Sequence, residues 1–213
     1  VCRLTRGDIN EYLHLLASRQ DELSKVEFLD LNQANLSSIQ PPLRAIRADF
    51  VRPIIEAARD KKRVEIQYTS LTQPQPKDRM IAPHTIVFNG YRWHVRAFCE
   101  ESLMFKDFLL SRMTDISEIT LDASQGEAQN KDWNTSIDIE IQPDPRLTQA
   151  QQKVIATDYA MINNRLVIST RAALVTYYLQ LLRVDKAMPH ANPKAQQIQV
   201  ANREVLASWL LPD

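Results

Sequence analysis

Gly90-Tyr91-Arg92-Trp93-His94-Val95-Arg96-Ala97-Phe98 is the stretch on which the fold turns. Trp93, Val95 and Ala97 alternate with His94, Arg96 and Phe98, the two-residue period of a strand. Immediately before it, Asn89-Gly90 is the strongest hairpin turn in the chain, because both residues tolerate positive φ. Working outward, Arg79 to Pro83 and Thr85 to Phe88 read as strands on one side, and Phe105 to Arg112 and Ile116 to Leu121 on the other. Val64, Ile66 and Tyr68 alternate with Glu65 and Gln67 in a further strand, followed by a loop around Thr72 to Pro76. Five or six short strands in so little chain imply a small, strongly bent barrel.

Before the strands the period is helical. Ile46, Phe50, Ile54, Ile55 and Ala58 line one face between Leu43 and Asp60, with Pro53 as a kink or the first turn of a restarted helix. Ile9, Leu13 and Leu16 mark a first helix over Asn10 to Ser18, capped by Asp8, and Asn32 to Pro42 reads as loop. After the strands, Gln125 to Asn134 is a polar connection. Ile137, Ile139 and Ile141 then alternate with Asp138 and Glu140, Thr148 and Gln151 form a capping box, Leu166 to Ser169 is a strand, and Ala172 to Leu182 a helix. That β-α-β-α module carries a helix apolar nearly all round, and a partner subunit is its simplest cover. The expected class is α+β, divided into a helical segment 1–42, a helix-plus-barrel domain 43–122, a connection 123–133 and a C-terminal α/β domain 134–213.

Composition narrows the function. The 213 residues carry 26 basic and 26 acidic side chains, so no global field draws in nucleic acid. Locally, Lys61 to Arg112 holds nine Lys/Arg against five Asp/Glu, and Met113 to Asp158 three against nine. No apolar run reaches membrane length and no basic-then-apolar leader opens the chain, so a cytoplasmic protein without a membrane partner is expected. Val1 in place of an initiating methionine suggests that a further domain lies upstream. Cys2 and Cys99 lack metal spacing and read as reduced thiols. Gly7, Gly90 and Gly126 build no phosphate loop, and His14, His84, His94 and His190 have no i, i+4 pairing, so neither cofactor nor metal is expected. Serine follows no nucleophile-elbow pattern. An enzyme assembled from Tyr68, His94 and Arg112 is the weakest of the readings, and the chain is read as a non-enzyme.

The runs Asp78-Arg79-Met80-Ile81-Ala82-Pro83-His84, Gly90 to Phe98, and Phe105-Lys106-Asp107-Phe108-Leu109-Leu110-Ser111-Arg112-Met113 together resemble the WYL domain. That family has a first strand ending in Tyr, an Arg-containing strand ending in Pro, a Gly-x-Trp-Tyr-Leu strand and an Arg-x-Phe-x-Leu-x-Arg-Ile strand. Here the tripeptide is Trp93-His94-Val95, Arg112-Met113 stands for the Arg-Ile ending, and Lys106 takes the place of the first arginine. Over the whole chain the resemblance is to the phage-defence-island repressors of the BrxR and CapW type, without their winged helix-turn-helix. It implies an Sm-like or SH3-like barrel that senses a nucleic acid or nucleotide, a dimerisation domain, a homodimer, and operator DNA bound through another domain. A stand-alone single-stranded nucleic-acid-binding module is the alternative.

On this reading the ligand site comprises Tyr68, Ser70, Arg79, His84, His94, Arg96 and Arg112. Arginine forks take phosphate bidentately and a ring offers a base a stacking surface. Each has a structural counterpart. Trp93 reads as barrel core, Tyr68 either seals the core or serves a ligand, and Arg96 and Arg112 pair with Asp107 or Asp78. His94 can be a half-buried strand residue, and Lys61 to Arg63 a solvated helix end.

Overall fold

The computed structural model describes residues 42, 44–186 and 190–210, with the backbone alone at 118–120. The helix expected over Asn10 to Ser18 lies outside the described residues, and Arg44 onward forms one compact unit. Its first helix, α1 (Ala48–Asp60), buries Phe50, Ile54 and Ala57 as a single stripe. Pro53 sits inside the helix rather than in its first turn, and Lys61 ends it in the left-handed conformation (φ 53°), donating its N–H to Ala57.

Five strands follow: β1 (Lys62–Tyr68), β2 (Lys77–Phe88), β3 (Trp93–Cys99), β4 (Met104–Leu109) and β5 (Met113–Asp122). They form an antiparallel sheet in the order β4-β3-β2-β1-β5. Val64, Ile66, Ile81, Val95, Ala97, Phe108 and Met113 pack with the α1 stripe into one core. Two expectations are corrected here. The segments Arg79 to Pro83 and Thr85 to Phe88 are one strand, because a bulge at His84 shifts the register between Pro83↔Ala97 and Thr85↔Arg96 without ending the pairing. The sheet is also no closed barrel. β4 and β5 are its opposite edges, and the 3-10 turn Leu110–Arg112 carries the chain between them without a ladder.

Gly90 is required at the β2–β3 turn by its φ of +91°, which L side chains rarely adopt; a Cβ there would also displace the flexible end of Leu181, 2.9 Å away.

The second sheet contains β6 (Ser136–Pro143), β7 (Leu166–Arg171) and β8 (Ile198–Val200) in the order β7-β6-β8, all antiparallel. Its helices are α2 (Lys131–Asn134), α3 (Gln149–Asp158), α4 (Val175–Leu181), α5 (Pro193–Gln196) and α6 (Arg203–Leu206). The Thr148–Gln151 capping box opens α3 as its residues dictate. The expected β-α-β-α pattern lacked β8 and α6, and these change how α4 is covered. Val175 and Leu179 are fully buried (0% exposed) in a core that includes Val184, Ile198 and Leu206 of the same chain, although Leu181 stays 47% exposed. Among the described residues, no helix is long and apolar enough to cross a membrane.

Candidate functional site

The seven residues singled out by sequence fall into two groups at different places on the first sheet. Tyr68, Ser70, Arg79 and Arg112 gather at the end of β1. Tyr68 closes that end of the core, its ring edge-on to Phe108 at 5.1 Å and its hydroxyl accepting the Leu109 N–H at 3.3 Å. Ser70 begins the following loop, and its Oγ accepts the Gln73 N–H at 3.0 Å. Gln73 in turn reaches Arg79, whose second link is to Glu101 at 3.7 Å. The Thr69 N–H bonds the Arg112 carbonyl at 3.2 Å, which fixes the backbone of Arg112 beside the same strand end. The residue is half-buried, and its guanidinium has no ion pair or hydrogen bond among the described residues.

Strand register adds a cation that sequence reading missed. Ile66↔Arg79 and Tyr68↔Lys77 are directly opposed, so Arg79 and the exposed Lys77 share the face of Tyr68. Alternation counted back from Ile81 was the available signal.

His84, His94 and Arg96 lie on the opposite face of the sheet from the Val95 and Ala97 core. Arg96, 7% exposed, bonds Asp107 Oδ1 at 3.2 Å and also reaches Asn130 at 3.4 Å and Asp132 at 3.3 Å, both in the connection between the sheets. Asp107 Oδ2 accepts the Tyr177 hydroxyl of α4 at 2.6 Å. One carboxylate therefore joins strand β3 to the C-terminal module. Arg96 takes the structural pairing with Asp107 that the sequence allowed.

His94 is fully buried (0% exposed) beneath the Tyr177 ring, with centroids 4.8 Å apart. Its Nε2 is 3.9 Å from Asp107, and neither ring nitrogen has a hydrogen-bond partner among the described residues. Burial pushes its pKa down, against the opposing pull of Asp107. His84 contacts Asn130 Nδ2 through Nε2 at 3.0 Å and Thr85 Oγ1 through Nδ1 at 2.8 Å. The amide of Asn130 can donate only to an unprotonated Nε2, which makes this a neutral imidazole. Burial, and next the Arg96 charge, lower its pKa to about 4. Burial and then Asp107 raise the Tyr177 pKa, which keeps its hydroxyl a donor.

Trp93 departs from the core reading. It is 44% exposed, with its ring 4.9 Å from Phe88. The residues sequence missed on the buried face, Asn130, Trp133 and Tyr177, come from distant segments whose approach no local pattern announces. Among the described residues no cluster suited to a metal ion occurs.

Two family models match this chain: WYL domain over residues 49–118, and BrxR transcriptional regulator, C-terminal dimerization domain, over residues 136–206. Each match covers about a third of the chain, the first sheet resembling a WYL domain and the second a BrxR C-terminal dimerization domain. Curated relatives carry the name DNA-binding transcriptional repressor CapW. This chain is 29% identical to that of Stenotrophomonas maltophilia over 85% of its own length and 60% of the relative's. The corresponding figures are 33%, 81% and 57% for Pseudomonas aeruginosa, and 36%, 79% and 56% for Escherichia coli (strain KTE188). The chain thus spans a little over half the length of the relatives it matches.

Proposed function

We propose that this chain is the sensing and dimerising region of a bacterial, cytoplasmic transcriptional repressor of phage-defence type. In this reading residues 43–122 form an Sm-like sensor, 123–133 a connection and 134–213 the dimerisation domain of a homodimer. A nucleic acid or nucleotide binds at the basic end of the sensor and sets the activity of a separate DNA-binding domain on its operator. The match to repressors over some four-fifths of the chain supports the regulatory role and disfavours a free-standing nucleic-acid-binding module.

The observation that carries the ligand assignment is Arg112, a half-buried residue whose guanidinium has no ion pair or hydrogen bond among the described residues and whose backbone is fixed at the strand end that also carries Tyr68 and faces Lys77 and Arg79. An unpaired fork suits a phosphate, and the neighbouring cations at the same strand end would add to its pull. Arg96 and His94 are proposed to act behind this site, carrying its state through Asp107 to Tyr177.

The test is fluorescence anisotropy of the chain with short single-stranded DNA, RNA and cyclic nucleotides at two salt concentrations. Binding is expected to weaken with salt, and Arg112→Ala to weaken it at all salts while lowering the salt slope by about one. Absence of binding by the folded chain to every probe overturns the assignment.

A further inference from the structure

In the second sheet, β7 pairs, among the described residues, on one side only, with β6, along all six of its residues from Leu166 to Arg171. Its outer edge presents a row of unpaired backbone groups about 20 Å long. The opposite edge is unlike it. β8 has three residues, and the turn after it folds back on β6 through Ala201 N–H to Glu140 O and through Asn202 contacts to Asp138 and Glu140.

Chains usually protect a free edge with proline, a bulge or an inward-pointing charge. β7 contains no proline and pairs with β6 without a register shift. Its single charge, Arg171, stands at the very end and is held over the Trp133 ring at 4.7 Å. Both faces of β7 are also short of cover. On the core side Leu166 and Ile168 are only half-buried, although Ile139 and Ile141 beside them are 0% exposed. On the outer side Val167 is 53% exposed and Ile162, opposite Arg165 in the preceding hairpin, 78%.

We propose that β7 pairs antiparallel with β7 of a second copy of this chain, joining two three-stranded sheets into one of six across a two-fold axis. The occupant is a second copy because residues 136–206 match a dimerization domain. The inference rests on the homodimer of the preceding section and says which surface forms it. A two-fold perpendicular to the sheet keeps both helical layers on one face, so each residue meets a partner residue of the same facing. Centred on Ile168, this register sets Val167 against Ser169 of the second copy. Centred on Ser169, it sets Ser169 against itself. In both cases the half-buried Leu166 and Ile168 gain the cover they lack.

The experiment uses the whole chain in a Cys2→Ser background, sized by light scattering. Opposed residues in such a pair lie within the span of a disulfide. Oxidation is therefore expected to link Ser169→Cys to itself, or to link Ser169→Cys with Val167→Cys when the two proteins are mixed. In parallel, Val167→Lys with Ser169→Lys puts charge only on the exposed face of β7 and crowds four ammonium groups at the two-fold. At least a tenfold rise in dimer dissociation constant is expected, partly relieved by salt, with circular dichroism and unfolding midpoint retained. A dimeric parent that gives neither cross-link and ignores the lysines overturns the β7 edge and leaves the homodimer standing. A monomeric parent overturns both.

Discussion

Two regions of the first sheet, the end of β1 and the outer face of β3, use the same residue types to opposite ends. At the strand end near Tyr68, Arg112 is half-buried with no ion pair or hydrogen bond among the described residues, and Lys77 is exposed. On the outer face of β3, Arg96 is 7% exposed and divided among Asp107, Asn130 and Asp132. A cation becomes structural once it is desolvated, because leaving it unpaired then costs several kcal/mol. One that keeps its water remains available to an incoming anion. Burial and pairing, more than residue type, separate the fastening from the candidate site.

The contrast can be broken most forcefully at Asp107. Asp107→Ala leaves Arg96 in the interior with one acceptor fewer and the Tyr177 hydroxyl without its carboxylate, so a loss of about 3–5 kcal/mol is expected, read by urea unfolding. A loss under about 1 kcal/mol would mean that the carboxylate fastens nothing. Tyr177→Phe removes only the 2.6 Å bond and should cost about 1.5–3 kcal/mol in the same measurement.

The histidines give the buried face a pH dependence below neutrality. A folded pKa depressed to about 4 in His84, and lowered in His94, means that the unfolded chain binds more protons as pH falls below the ordinary value of 6.5. Stability contributed by these neutral rings is therefore present at neutral pH and drains away as pH drops from about 6.5 toward 4. Unfolding midpoints at pH 7 and pH 5 should show it, and His84→Gln should flatten the difference. An unchanged slope in that variant would mean His84 is not the group responsible.

These contrasts also mark what the sequence made legible. Alternation located β1 and β3 and put His94 and Arg96 on the face opposite Val95, because side-chain direction in a strand is a local property. The Thr148–Gln151 box was equally local. What covers that face was not legible, because Asn130 and Tyr177 reach it from segments tens of residues away. Tyr177 read as one apolar residue among many in its helix, although its hydroxyl bonds Asp107 of the sheet and its ring covers His94. β8 escaped because three residues are too few to show a period, and β2 was split in two because a bulge at His84 looks like a strand end. Barrel closure was overstated for a related reason: strand count is visible in a sequence, but whether two edges meet depends on the turn between them.

The smallest expected effect sharpens the comparison furthest. Arg112→Ala removes a guanidinium that makes no ion pair or hydrogen bond among the described residues, so its unfolding free energy should stay within about 0.5 kcal/mol of the parent. Deleting a cation is harmless to a fold only where water still solvates it and no acidic side chain relies on it. If urea unfolding instead shows a loss of 2 kcal/mol or more, Arg112 is already engaged in the folded protein, and the open end is a second fastening. If stability holds while oligonucleotide binding falls, the residue is retained for something other than folding, and the two regions of the sheet divide structure from recognition.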